Sequence, residues 1–188
     1  HESELIIFCD ASSVGYGIVC YIRRKAIDNG NIHVSFLTGK SHVVPISMME
    51  KPIPGQEPHL GSIPRLELNA AKLAATWRDI LLREAGEIFD DVILFSDSLT
   101  IIGWIADWKR KFRTFEHFRL KKIRLLSQVH EWRYVRTHLN PADVASKGLN
   151  ANETEKWNLY LYGPSFLSQA KSEWPKPPEN NTDSADIK

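Results

Sequence analysis

Two apolar runs of the sequence each end on an aspartate. Residues 5–9 (LIIFC) run directly into Asp10, and residues 92–96 (VILFS) run into Asp97. Such runs are typical of strands that are buried on both faces of a sheet. If the two strands are neighbours that point the same way, their carboxylates lie side by side at one edge of the sheet. This pair is the first candidate for a chemical site.

Two further carboxylates occupy positions near predicted helix starts. Glu67 follows Pro64 in the clearest helical pattern, and Asp143 follows Asn140-Pro141, which has the form of a helix cap. Alone, each acid is more simply explained as a cap or a solvated charge. Four carboxylates at one sheet edge would repel one another unless divalent cations neutralised them.

The chemistry of that donor set points to phosphate. Oxygen-only ligands favour Mg²⁺ or Mn²⁺. Two such ions are the usual device for in-line displacement at phosphorus, where one activates water and one stabilises the leaving oxygen. The sequence therefore predicts phosphodiester hydrolysis with two Mg²⁺ ions, for which Mn²⁺ can substitute.

The predicted elements that position these acids follow the order βββαβααβα, which is typical of an α/β protein. We predict strands at 5–12, 18–22, 32–37, 92–96 and 131–136, and helices at 64–86, at about 99–108 and from Asn140. The first three strands form an antiparallel meander, and Gly86 ends the long helix.

The rest of the chain divides by composition. Residues 43–62 carry four prolines and predict a long irregular loop, and residues 150–174 carry aromatic anchors that wrap back onto the domain. Residues 175–188 are too polar to order themselves. We therefore expect one main domain at 1–174 and a disordered tail or linker.

The overall composition and net charge exclude few classes of protein. The 188 residues carry a net charge of +1, and no run reaches the roughly 18 apolar residues of a membrane span. With no signal segment, we expect a soluble intracellular protein. Cys9 and Cys20 lie in apolar runs and are expected to be inert core residues. A start at His1 suggests a piece of a longer polypeptide.

One local concentration of charge favours nucleic acid. Eight of the 24 Lys and Arg residues fall between positions 109 and 124, interleaved with aromatic residues, and they include Lys109, Arg110 and Lys111. A helix that solvates one face is the simpler explanation, but so one-sided a segment more often follows a polyanion.

With these features together, the chain resembles the ribonuclease H domain of retroelements, within the BEL/Pao group of retrotransposon polyproteins. The resemblance covers residues 5–174 and rests on these motifs: FCDAS at 8–12 with YG at 16–17, IPRLEL at 63–68 with AA at 70–71, SDS at 96–98, NPADVASKG at 140–148 and YGPSFL at 162–167. Members order their acids Asp, Glu, Asp, Asp, as this chain does. Related integrases and transposases order theirs Asp, Asp, Glu.

The resemblance implies a ribonuclease H-like fold, with a five-stranded mixed sheet in which three antiparallel strands are followed by two parallel additions. It implies that Asp10 bridges two ions, that Asp143 holds the ion that activates water, and that Glu67 and Asp97 hold the other. His138 resembles the mobile histidine that precedes the last Asp. The implied activity is hydrolysis of RNA paired to DNA during reverse transcription.

The same resemblance implies contacts and partners. Substrate contacts are expected from Ser12, Gly15, Arg65, Ser98 and Asn140, although small polar residues also make turns. The reverse transcriptase and integrase portions of one polyprotein are the expected partners, in cytoplasmic virus-like particles with access to the nucleus. Two alternatives stay open: a catalytically silent nucleic-acid-binding or spacer module, and a related nuclease for another nucleic acid, such as a DNA exonuclease or resolvase.

Overall fold

Five strands and five α-helices make up the part of the chain that the structure describes. The computed structural model describes residues 1–44, 63–85 and 88–177. The strands are β1 (Glu2–Ala11), β2 (Gly15–Lys25), β3 (Ile32–Val43), β4 (Asp91–Ser96) and β5 (Trp132–Tyr134). The helices are α1 (Ile63–Ala85), α2 (Leu99–Ala106), α3 (Thr114–Leu126), α4 (Ala142–Lys147) and α5 (Thr154–Tyr162), with short 3-10 turns at Val129–Glu131, Thr137–Leu139, Ser165–Ser168 and Lys171–Glu173.

The strands form one sheet in the order β3-β2-β1-β4-β5. Strand β1 pairs antiparallel with β2, and β2 pairs antiparallel with β3, whereas β4 is parallel to both β1 and β5. The predicted mixed sheet is therefore confirmed. Strand β5 spans three residues rather than the predicted 131–136, because Glu131 ends a 3-10 turn and Val135 bonds to Ser96 beyond the ladder.

Both faces of the central strands are buried, which explains the unbroken apolar runs. Leu5, Ile7 and Cys9 point to one face, where α1, α2 and α3 cover them. Ile6 and Phe8 point to the other face, which α4 and the chain after α5 cover. Alternating side chains in β1 thus serve two cores.

Helix α1 approaches the sheet closely because its buried stripe is rich in alanine. Ala70, Ala71, Ala74 and Ala75 are all buried in the core shared with β1 and β2. The helix begins at Ile63, as the proline at its start predicts. The prediction that residue 86 ends α1 lies outside the described residues, as do most of the predicted loop at 43–62 and the tail beyond residue 177.

The segment after α5 is fixed by a buried ion pair. Arg23, whose side chain is 3% exposed, pairs with Glu4 and donates its Nε–H to the carbonyl of Leu167 at 2.7 Å. Lys171 pairs with the same glutamate. Trp174 lies over Arg23, with the guanidinium carbon 5.3 Å from the ring centroid. Phe166, Leu167 and Trp174 of this segment are buried in the core on that face of the sheet.

No helix in the described ranges combines the length and the apolar character needed to cross a bilayer. Cys9 and Cys20 are both buried and unpaired, as predicted, and burial raises the pKa of each thiol.

Candidate active site

Asp10 and Asp97 lie side by side at one end of the sheet. In the parallel pairing of β1 with β4, Cys9 lies opposite Ser96, so each aspartate is the next residue after a matched pair. Asp10 is 7% exposed. Burial raises its pKa to about 7, the charges of Asp97 and Asp143 add to the increase, and a hydrogen bond from Ser146 opposes it.

Glu67 reaches the same place from helix α1. The Ser98 hydroxyl donates to Glu67 Oε2 at 2.8 Å. As the cap of α2, Ser98 Oγ also accepts the N–H of Ile101 at 3.3 Å. Burial raises the pKa of Glu67, and Asp97 contributes to that increase. Ser98 therefore ties the glutamate to the turn that carries Asp97.

Asp143 comes from the first turn of α4 and is paired with a lysine. Lys147 Nζ lies 2.5 Å from Asp143 Oδ1. That contact raises the pKa of Lys147, and the charges of Asp10 and Asp97 raise it further. Lys147 therefore places a positive charge among three of the four predicted acids.

Sequence reasoning did not single out Ser146 or Lys147. Both follow Asp143 at the i+3 and i+4 positions, which share one face of a helix. Once α4 is placed beside Asp10, that spacing brings a hydroxyl and an ammonium group to the carboxylates. Helical periodicity applied to residues 143–147 would have found them.

Helix α4 is positioned by a buried asparagine. Asn140 is fully buried, and its Nδ2 donates to the carbonyl of Cys9 at 3.0 Å while its Oδ1 accepts the N–H of Ala142 at 3.1 Å. The bond to Ala142 matches the predicted cap, although the helix begins at Ala142 rather than Pro141. Both ends of the Asn140 amide thus bond inside the protein, and its contact with a substrate stays a prediction.

Two glycines let α4 lie directly on the sheet. A Cβ on Gly17 would lie 2.7 Å from Ala145 Cβ, and one on Gly15 would lie 2.9 Å from the Ser146 carbonyl oxygen. Ser12 donates to that same carbonyl at 2.7 Å and accepts the N–H of Gly15 at 3.2 Å. Ser12 and Gly15 thus close the turn between β1 and β2, and Ser98 caps α2. All three small residues therefore have roles in turns or caps.

The predicted catalytic histidine and the other predicted contact residues lie at the surface. His138 is exposed in the 3-10 turn before Asn140. Arg65 is 40% exposed, with its Nε 3.3 Å from Glu116 Oε1. Lys109, Arg110 and Lys111 are exposed in the segment between α2 and α3.

Two arginines of the basic segment form hydrogen bonds inside the protein. Arg124 donates to the carbonyls of Trp104, Ile105 and Asp107 at the end of α2. Arg119 donates to Asn69 Oδ1 at 2.6 Å and to the Phe115 carbonyl at 3.2 Å. These two arginines therefore stabilise the fold as well, and contact of the basic segment with a polyanion stays a prediction.

The acids fit a divalent cation by their chemistry. Within residues 1–44, 63–85 and 88–177, no three His, Cys, Asp or Glu side chains form a ready-made metal-binding group. The donors are nevertheless all carboxylate oxygens, which hard cations prefer. Burial is the largest cause of the raised pKa of Asp10, and the charges of Asp97 and Asp143 add to it. A bound cation would offset both effects.

The family model of the Pao retrotransposon-like RNaseH-like domain matches residues 1–98, just over half of the chain. The chain belongs to this family. The matched part of the Pao RNaseH-like domain contains Asp10, Glu67 and Asp97, while Asp143 lies beyond it. No curated protein matches the sequence.

Three solved structures resemble the Pao RNaseH-like domain in shape. Ribonuclease H1 of the halophilic archaeon Halobacterium salinarum is 12% identical, with a TM-score of 0.45 over 77% of this chain and 94% of the other. The N-terminal RNase H domain of a Mycobacterium tuberculosis protein is 11% identical, with the same score and coverage. RuvC of Thermus thermophilus is 10% identical, with a TM-score of 0.35 over 87% of each chain.

Proposed function

We propose that this domain is an endoribonuclease that hydrolyses the RNA strand of RNA/DNA hybrids during reverse transcription, by two-metal-ion phosphodiester hydrolysis. The observation that carries the proposal is the placement of the buried Asp10 beside Asp97 at one end of a parallel strand pair, where α4 brings Asp143 and the Ser98 turn holds Glu67. Buried, ionised carboxylates in that arrangement destabilise the folded protein without a cation, and a bound cation removes that cost.

The proposed roles follow from which acids interact. Asp10 is coupled to both Asp97 and Asp143, so it is assigned as the ligand shared by two Mg²⁺ or Mn²⁺ ions. Glu67 and Asp97 are assigned to one ion, and Asp143 to the other. When bound, the ions supply an activated water and stabilise the leaving oxygen.

The neighbouring side chains orient the acids. Ser146 holds Asp10, and Ser98 holds Glu67, through hydroxyl hydrogen bonds. His138 is exposed next to the start of α4 and is assigned to proton transfer. Replacing His138 with Ala is expected to slow cleavage while leaving hybrid binding intact.

The substrate class is consistent with the surface of the domain. Lys109, Arg110 and Lys111 are exposed and are assigned to the backbone of the DNA strand. The RNA strand is distinguished by its 2′-hydroxyl groups. In a retrotransposon setting, the reverse transcriptase and integrase portions of the same polyprotein are the proposed partners, within cytoplasmic virus-like particles that have access to the nucleus.

A cleavage assay tests the proposal directly. Labelled RNA/DNA hybrid, double-stranded RNA and double-stranded DNA are incubated with the protein in Mg²⁺ and in Mn²⁺, with Asp28→Asn as a control in an exposed turn and Asp10→Asn as the test variant. We expect cleavage of the hybrid's RNA strand by wild type and the control only. Cleavage of DNA instead would favour another nuclease, and binding without cleavage would favour a silent module.

A further inference from the structure

Helix α5 has an apolar face that the described part of the chain leaves exposed. Five of its nine residues are Trp, Leu or Tyr, yet none of the nine is buried. Trp157 and Leu161 are 40% and 38% exposed, and Tyr162 is 69% exposed. A helix of this length is marginally stable without tertiary contacts, and contiguous exposed apolar side chains mark interaction sites.

The opposite face of α5 fixes the helix to the domain. The Tyr21 hydroxyl donates to the carbonyl of Tyr160 at 2.7 Å. A Cβ on Gly39 would clash with the Tyr160 hydroxyl, so the glycine lets this ring lie directly on β3. Trp157 and Leu161 are four residues apart and therefore form one stripe on a helix whose position is already set.

A groove of about 500 Å³ lies beside α5. The turn between β1 and β2, the end of β3, helix α4 and helix α5 form its walls, and its apolar lining includes Val14, Val43, Val144, Leu149 and Trp157. Val14 and Val43 are themselves exposed. The groove forms one surface, the α5 face, together with Phe36, Trp157, Leu161 and Tyr162.

The α5 face has the composition of a protein interface. The rings of Phe36, Tyr160 and Trp157 follow one another, with centroids 5.4 Å and 6.5 Å apart. The cores of protein interfaces are enriched in aromatic residues and depleted in charged ones. Lys156, the basic residue of α5, is paired with Glu153. Because a phosphate backbone is bound by clustered Lys and Arg side chains, this face fits a protein better than a nucleic acid.

A second copy of the chain matches the shape and the size of this face. In a two-fold pair, the α5 ridge of each copy enters the groove of the other, so ridge and groove are filled together. Phe36, Trp157 and Tyr162 expose roughly 300 Å² of side chain. A standard interface buries about 800 Å² from each partner. The three aromatic residues alone therefore supply more than a third of the area that a stable dimer needs.

The charges on the α5 face favour the same arrangement. Glu155 lies in the first turn of α5 and has no ion pair within residues 1–44, 63–85 and 88–177. Lys147 and His42 line the groove. A two-fold pairing that inserts α5 into the partner's groove brings this acid toward basic side chains, and such complementarity gives specificity.

We propose that the α5 face is the contact surface of a homodimer, in which α5 and the adjoining groove pack against the same elements of a second copy. Ser146 and Lys147 also line the groove, so the contact lies beside helix α4, which carries Asp143. The inference does not require cleavage of any nucleic acid, and its test is separate from that of the proposed function.

Sedimentation equilibrium of the full 188-residue chain tests the proposal. The test variant, Leu161→Glu/Tyr162→Glu, places two charges on the α5 face. The control, Ile27→Glu/Ile88→Glu, places the same charge on exposed apolar side chains elsewhere. All four side chains are exposed, so both variants should fold, which circular dichroism and thermal melts check.

We expect the molar mass of wild type and control to rise with protein concentration from 21.5 kDa toward twice that value. The dimer dissociation constant of the test variant should increase by at least about thirtyfold, because charges replace two interface anchors. Wild type that stays monomeric up to several hundred micromolar would overturn the proposal and leave the face to a different protein. A test variant that dimerises as wild type does would also overturn it, since the dimer would then use another surface.

Hydrogen exchange of the wild-type protein removes any dependence on how the variants fold. It is measured at two protein concentrations, on either side of the dissociation constant. The amides of α5 should exchange more slowly at the higher concentration, while those of α3 should not change. Equal exchange of α5 at both concentrations would contradict the homodimer, because any cover on this face would then belong to the same chain.

Discussion

The Ser146 hydroxyl donates a hydrogen bond to the Asp10 carboxylate, which joins helix α4 to the end of strand β1 across 136 residues of chain. The bond opposes the increase in the pKa of Asp10 that burial causes. Ser146 thus both secures helix α4 and adjusts the charge of the proposed shared ligand.

Asp10→Asn should abolish hybrid cleavage and raise the stability of the fold at neutral pH. Burial raises the pKa of Asp10 from 3.8 to about 7. The unfolded chain therefore ionises first as pH rises, so wild type loses stability between about pH 4 and pH 7. The loss has an upper limit of about 4 kcal/mol, since each unit of pKa corresponds to about 1.36 kcal/mol.

Urea unfolding at several pH values checks this. The variant and wild type should be equally stable near pH 4, and the variant should be the more stable of the two at pH 8. A variant that cleaves hybrid at a near-normal rate would remove Asp10 from the proposed site.

Lys147→Gln should lower the Mg²⁺ concentration needed for half-maximal cleavage by up to about fivefold. The ammonium group of Lys147 lies against Asp143 and competes with a cation for that carboxylate. Cleavage rates measured across a Mg²⁺ titration test this, with Lys156→Gln, which disrupts an exposed pair with Glu153, as the control.

The same carboxylates predict a stabilising effect of metal. Mg²⁺ should raise the melting temperature of wild type relative to chelator, because the ion binds the folded state only. Asp10→Asn should show a smaller increase.

For Lys147→Gln, an increase in the half-saturating Mg²⁺ concentration would contradict the competition between lysine and metal. It would indicate that Lys147 contacts the substrate.

Arg23→Met should reduce the free energy of unfolding by about 3–5 kcal/mol, because it leaves Glu4 buried with one cationic partner fewer. The side chains of Arg23 and Glu4 are 3% and 1% exposed. Adding Glu4→Gln to the variant should restore part of the loss, since the buried charge that lost its guanidinium partner is then gone. Chemical denaturation of both variants and wild type measures the difference.

Lys156→Met provides the contrast, because its pair with Glu153 is at the surface and should contribute nothing measurable. An Arg23→Met protein as stable as wild type would mean that the pair does not hold the segment after α5.

Replacing Lys109, Arg110 and Lys111 together with Ala should weaken hybrid binding and reduce the log-log salt slope by up to about three contacts' worth. The cleavage rate at saturating hybrid should hardly change, because these side chains hold no ion. Arg124→Ala should instead lower stability, since this arginine bonds the last carbonyls of α2. Unchanged affinity and slope in the triple variant would make the segment a solvated surface.

The sequence predicted the parts of the fold that depend on local pattern. The apolar runs before Asp10 and Asp97 required strands buried on both faces, and the parallel pairing of β1 with β4 confirms that reasoning. The proline at the start of α1 marked its first turn correctly.

Contacts between distant parts of the chain were beyond such reasoning. The amide of Asn140 reaches the carbonyl of Cys9, 131 residues away, and no local pattern shows that partner. The charge of Lys147 matters only because α4 packs beside β1. The same limit applies to Arg119, which a count of basic residues assigned to the surface and which the fold turns toward Asn69.

The bond from Asn140 to Cys9 determines when, during synthesis of the chain, the four acids can come together. Strands β1 to β3 are close in sequence and can pair as soon as they emerge from the ribosome, whereas contacts across more than a hundred residues form late. Asp143 follows Asn140 by three residues, so the fourth acid reaches the others only when α4 docks. A nascent chain that ends before α4 therefore carries three of the four acids and lacks a complete set of the proposed ligands.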